Sequence, residues 1–185
     1  MPVRCALLPV LLLLPWVAAA RAQTLHPETL TVAGTTSLTL VSHATRVHLL
    51  GRLELYTLGL YVEGTAVDRQ QLASADTRKA LRIQVLHRDS PGERPTIDWR
   101  RELLPPLEPA ATAHLRAAFA PLRHDDVILI DYVPGRGTRV HVNKAAAVPE
   151  AGHELMLAFL DHWLGQRPVS EEMKARLLPT QLERW

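Results

Sequence analysis

The chain has 185 residues, of which 47% are hydrophobic and 22% charged, with one cysteine and a formal net charge of +2. That length fits one domain with a core of its own. A lone cysteine excludes an internal disulfide framework, and so weak a charge gives nucleic acid no electrostatic hold.

In chain order, Arg4, the apolar run over 6–17 and the small residues Ala20 and Ala22 read as a secretory signal peptide cleaved near Ala22. The run is broken by prolines and falls short of the roughly 20 residues that a spanning helix needs. Cys5 would leave with it, as would Arg4 and Arg21. Residues 23–185 then carry 19 basic and 19 acidic residues, and are expected to form one exported domain, periplasmic or secreted, without a transmembrane segment or a disulfide.

Residues 38–50, "LTLVSHATRVHLL", predict a first strand pair or one bent strand. The stretch "GRLELYTLGLYVEG" over 51–64 is a strand that changes character. Arg52 and Glu54 first alternate with Leu53 and Leu55, after which Leu58, Leu60 and Val62 replace the charges. By parity Thr57 and Tyr61 share the face of Leu53 and Leu55, which raises the question of what a hydroxyl and a phenol do there. Residues 64–78 are helix-prone with Asp68 as N-cap, and "KALRIQVLH" over 79–87 alternates as a strand with Arg82 and Gln84 outward. Thr96 is read as the cap of a helix through "IDWRRELL", which Pro105 and Pro106 stop, and a second helix is expected over about 109–122. "DVILIDYV" and "TRVHVN" flank "PGRG" and predict a hairpin at 126–143. Pro149 is expected to open a long helix that ends at Gly165, and Ser170 to cap a last one. Strands, helices, a hairpin and then helices predict an α+β fold, an antiparallel sheet with helices on one face.

Standard site signatures are missing from the sequence: it has no glycine-rich phosphate loop, H-E-x-x-H, C-x-x-C or G-x-S-x-G. The nine histidines show no metal spacing, since His153 and His162 fall on opposite faces of one helix and His43 and His48 differ in strand parity. Only His48 and His141 remain able to meet across strands, and no metal site is expected. Asp125, Asp126 and Asp98 fit turn-shaping and helix-capping roles. Thr57, Tyr61 and Arg46 are different. A buried hydroxyl without a partner costs about 1–3 kcal/mol, and an inward guanidinium needs an anion or several acceptors. A cavity holding an acidic or carbonyl-bearing ligand would satisfy all three. The alternative is that Thr57 bonds to backbone, Tyr61 lies at the sheet edge and Arg46 is exposed.

"ATRVHLLGRLELYTLGLYVE", "DVILIDYVPGRGTRVHVN" and "LMLAFLDHWLGQRPVSEEMKARLL" together resemble the chalcone isomerase family, most of all its bacterial exported branch, over roughly 38–180. The resemblance implies an open-faced β-sandwich, a large antiparallel sheet backed by a layer of helices, with a ligand between the two and no cofactor. It assigns Arg46 to the family arginine and Thr57 to its threonine, with Tyr56 competing for that place because the spacing to "GLYVE" is one residue shorter. Tyr61 stands beside them. The tyrosine and asparagine that complete the site in plant isomerases have no counterpart in "HRDSPGERPTIDWRRELLPPL", and acid–base help of that kind is worth about 10²–10⁴ in rate.

The expectation is a non-catalytic protein that binds a small apolar or amphipathic ligand with an acidic or carbonyl head, such as a fatty acid. Ligand-binding residues would be Arg46, Thr57, Tyr56 and Tyr61. The alternatives are a cofactor-independent isomerase of the chalcone-to-flavanone type, and an interaction module whose pocket is filled by its own side chains. Oligomeric state is not legible in the sequence.

Overall fold

A computed structural model describes residues 25–178 apart from 33, 35, 49–52, 65–67, 90–96 and 109–111. The expected signal peptide at 1–22 and the Thr96 cap lie outside the described residues.

Seven strands form one sheet in which every neighbour is antiparallel and sequence order is spatial order: β1 (Thr29–Val32), β2 (Thr36–His48), β3 (Leu53–Val62), β4 (Lys79–Val85), β5 (Val127–Val133), β6 (Gly137–Val142) and β7 (Ala145–Ala151). Each strand hydrogen-bonds to the next in sequence, although residues 86–126, with two helices, separate β4 from β5. β2 is one continuous strand with register shifts at Leu40/Ser42 and Arg46/Val47, the bent strand among the two expectations. The predicted hairpin is β5–β6, with Gly135 and Gly137 at positive φ in its turn.

The helices are short except one. They are α1 (Arg69–Ala73), α2 (Trp99–Leu103), α3 (Ala113–Phe119), α4 (His153–Leu164) and α5 (Glu171–Leu177). Asp68 caps α1 in a reciprocal capping box with Gln71. Asp98 caps α2, and Ser170 accepts from the Met173 amide to cap α5. Pro149 does not open α4. It lies in β7, and the helix starts four residues later at His153. β7 is an edge strand, where a residue without an N–H is tolerated.

Parity sorts the side chains to two faces. Leu58, Leu60, Leu81, Ile83, Ile128, Ile130 and Val140 face the helices and pack against Leu115, Phe119, Met156, Phe159, Leu160, Trp163 and Leu177. On the other face Tyr61, Ala80 and Val133 form a smaller cluster with Val32 of β1 and Leu38 of β2. That face carries no helix among the described residues. The result is the expected α+β architecture, an antiparallel sheet backed on one side.

Candidate functional site

β3 is buried along its whole second half, Leu55 to Val62, and the cover differs by face. On the helix side the Tyr56 ring is fully buried and its hydroxyl accepts a hydrogen bond from Trp163 Nε1 at 3.0 Å. Burial pushes the phenol well above its ordinary pKa, only partly offset by that bond. The space ringed by Leu58, Leu81, Leu160, Trp163 and Leu177 has no room for a water molecule.

On the opposite face residues 25–28 cross the sheet as a strap. Tyr61 donates to the Pro27 carbonyl at 3.0 Å, and an Arg82 Nη donates to the Leu25 carbonyl. The Thr57 hydroxyl donates to the Ala44 carbonyl at 3.2 Å, so the 2.9 Å contact with His26 Nε2 is a bond that the imidazole donates. His26 therefore carries a proton on Nε2, while its buried Nδ1 has no hydrogen-bond partner. Burial first, then Arg82 and His43, lower its pKa to about 4. Gly59 makes the crossing possible, since a Cβ there would meet His26 Nδ1 at 2.6 Å.

The four expected ligand residues are thus divided by the sheet. Arg46 and Tyr56 face the helices, whereas Thr57 and Tyr61 face the strap. Thr57 cannot line a cavity between sheet and helices together with Arg46, because adjacent β3 positions point to opposite faces. Thr57 and Tyr61 find their partners in backbone carbonyls and His26, which answers why polar groups stand on a buried face.

Arg46 does reach a groove. Its Nε donates to Glu102 of α2 at 3.1 Å and an Nη donates to its neighbour's carbonyl, Val47 O, with both charged side chains mostly buried. A groove of about 420 Å³ opens beside this pair, lined by Arg46, His48, Ile97, Arg101, Glu102 and Val169. Arg101 and Val169 also line a neighbouring groove of about 800 Å³ to which Arg100, Arg116 and Arg167 contribute. His162 Nε2 donates to the Glu102 carbonyl at 2.9 Å, and burial lowers its pKa. Asp98, which pairs with Arg100 at 3.0 Å, Asp161 and Glu102 share these linings, so five arginines stand against three carboxylates and leave a positive excess where α2, α3 and the α4–α5 connection meet. Such an arrangement suits an anion.

Further groups were not read from the sequence as site residues. Lys79 is fully buried, donates to the carbonyls of Leu72 and Ser74 at 2.6 Å each, and stands 3.2 Å from His153 Nε2. Burial lowers its pKa to about 8. These bonds tie the α1 end to the start of α4. On the uncovered face Arg82, Asp131, Arg139 and His141 line a cavity of about 630 Å³. Alternation placed Arg82 on the face away from Leu81 and Ile83, but no local signal says that other residues stand over it. His48 and His141 do not meet, because β3, β4 and β5 lie between their strands. Among the described residues no three His, Cys, Asp or Glu side chains gather as metal ligands, and no helix is long and apolar enough to cross a membrane.

Comparison with solved structures finds similarity to the Arabidopsis thaliana fatty-acid binding protein, at 15% identity over 81% of this chain and 95% of that one, with a TM-score of 0.49. No curated protein matches the sequence. The model of the family described as chalcone isomerase-like matches residues 19–179, and by that match, spanning most of the sequence and every strand and helix described above, the chain belongs to the chalcone isomerase-like family.

Proposed function

We propose that the protein is a non-catalytic binder of a small amphipathic acid, fatty-acid-like in joining an apolar body to an anionic head, and that it works outside the cytoplasm, in the periplasm or secreted. The head group goes to Arg46. The observation that carries this reading is the Arg46–Glu102 pair at the wall of the groove, 15% and 17% exposed. Arg46 is a mostly buried cation beside open volume, held by an internal carboxylate that a ligand carboxylate can replace. The ligand body lies against Ile97 and Val169 in the groove, since the space behind it among Leu58, Leu160 and Trp163 is filled. Binding is favoured over isomerisation because the nearest phenol, Tyr56, is buried and engaged by Trp163, with its pKa raised. General acid–base catalysis needs a group titrating near the working pH.

The filled interior favours a second reading, an interaction module without a ligand. Native mass spectrometry of the full chain, beside Arg46→Ala and Glu102→Gln, separates the two. A co-purified acid lost from Arg46→Ala and retained more tightly by Glu102→Gln, where the internal competitor has no charge, supports binding at this groove. An empty wild type, with both variants equally stable and equally empty, removes the reading and leaves the interaction module.

A further inference from the structure

The uncovered face of the sheet carries a cavity of about 630 Å³ that lies on the other side of the sheet from Arg46. Its floor is apolar. Leu30 of β1 and Val127 and Leu129 of β5 line it, and Leu129 pairs directly across the ladder with Arg82.

Two polar groups in it are incompletely matched. Arg82 is half-buried, and its only partners among the described residues are neutral, the Leu25 carbonyl and the Gln84 side-chain oxygen at 3.4 Å. No carboxylate forms an ion pair with it there, whereas a guanidinium taken out of water is ordinarily matched by an anion. Asp131, 1% exposed, accepts from Arg139 Nε at Oδ2 at 3.0 Å, but Oδ1 has no hydrogen-bond partner and His141 Nε2 stands 3.7 Å from it. A buried acceptor left in this state calls for a donor. Arg82 and Asp131 are diagonal neighbours on one face, since Arg82 pairs with Leu129 and Asp131 with Ala80. Their backbones are then about 7–8 Å apart. Arg82, Arg139 and Lys144 against Asp131 leave the lining cationic.

We infer that this cavity is a second, separate ligand site for a small hydroxylated carboxylic acid: the carboxylate pairs with Arg82, a hydroxyl donates to Asp131 Oδ1, and the apolar body covers Leu129. The spacing of the two polar groups across an apolar floor requires both functions on one molecule, so a plain fatty acid or an alcohol satisfies only half of it. This inference does not depend on the Arg46 groove.

Isothermal titration of the full chain carrying Arg46→Ala, so that the first groove has lost its cation, with ω-hydroxyoctanoate, octanoate and octanol tests it. The hydroxy acid is expected to bind most tightly, and Arg82→Gln to weaken it about ten-fold or more, as the loss of a charge-assisted bond implies. Because Arg82→Gln also loses a contact to the strap, Leu129→Trp provides a second variant that fills the cavity and leaves Arg82 in place. In the same Arg46→Ala background it is expected to abolish binding with the protein folded by circular dichroism. Equal affinity for octanoate and the hydroxy acid, or no binding at millimolar concentration, would each overturn the inference. So would a concentration-dependent dimer in sedimentation that Leu129→Trp abolishes, since the occupant would then be a second copy of the chain.

Discussion

The two faces of the sheet solve the same problem differently, and β4 shows it with two cations three residues apart. Lys79 points to the helices and is fully satisfied by two carbonyls and a histidine. Arg82 points to the opposite face, where the strap offers the Leu25 carbonyl and Gln84 of its own strand an amide oxygen, with no counter-charge among the described residues. The helix face is closed by bulk, with Trp163, Phe159, Leu160 and Leu177 laid on β3 and β4 so tightly that no water fits. The strap face is closed by a handful of hydrogen bonds around Thr57, Tyr61 and His26, and beyond the strap no described helix covers it. One face therefore holds the fold, and the other has adaptable polar groups to spare.

If that division is correct, the largest effect belongs to the helix face. Trp163→Ala removes a ring that is 1% exposed and strips Tyr56 of its donor. It should cost about 3–5 kcal/mol in urea denaturation. A loss below about 1 kcal/mol would mean that this face is not the tightly packed one.

Next come the strap contacts, which acid should break. His26 has its pKa lowered to about 4 from 6.5. A depressed pKa means that the unfolded state binds the proton more readily, so this stability is fully present above 6.5 and is lost as pH falls through 4. The groups facing His26 are Arg82, the stacked ring of His43 and the Thr57 hydroxyl; protonation sets a positive charge beside the Arg82 guanidinium. The effect should be on the order of 1–3 kcal/mol between those pH limits. His26→Gln keeps a donor for Thr57 and should flatten this part of the acid limb. Identical limbs in variant and wild type would show that the strap is not titrated through His26.

Gly59→Ala probes the same contact sterically. Its Cβ would meet His26 and the Tyr61 ring, at 2.6 and 3.0 Å, and displacing them should cost about 1–3 kcal/mol. Amide exchange at residues 28–32 should quicken while the helix-face strands stay protected. Smallest of all, Glu102→Gln should move the melting temperature by the equivalent of about 0–1 kcal/mol, however strongly it changes ligand retention. A larger loss would make the Arg46–Glu102 pair a structural bridge and weaken its reading as a binding-site contact.

Much of the architecture is legible locally. The β5–β6 hairpin declares itself by two alternating runs around a glycine turn, α4 by apolar residues at helical spacing, and the caps at Asp68 and Ser170 by residue type. β1 and β7 were not legible. Thr29–Val32 alternates but is only four residues long, too short to stand out, and Ala145–Ala151 is rich in small residues and holds a proline, so it lacks the β-branched alternation that marks a strand. Both become strands because a longer neighbour offers an edge to pair with. The helices α1, α2 and α3 came out shorter than predicted, five to seven residues each, since isolated short helices depend on tertiary packing more than on propensity.

The site divides along the same line. Alternation by itself determined that Arg46 shares a strand face with Ala44, that Thr57 and Tyr61 share theirs, and that Arg82 opposes Leu81, because side-chain direction in a strand follows from a period of two. Only the tertiary structure decided what stands above each face. The register shifts in β2 turned Arg46 toward Glu102 of α2, and residues 25–28 came back over β3 to take up Thr57 and Tyr61. Those contacts join residues 31 to 56 positions apart, a separation at which no local pattern carries information and only the path of the whole chain does.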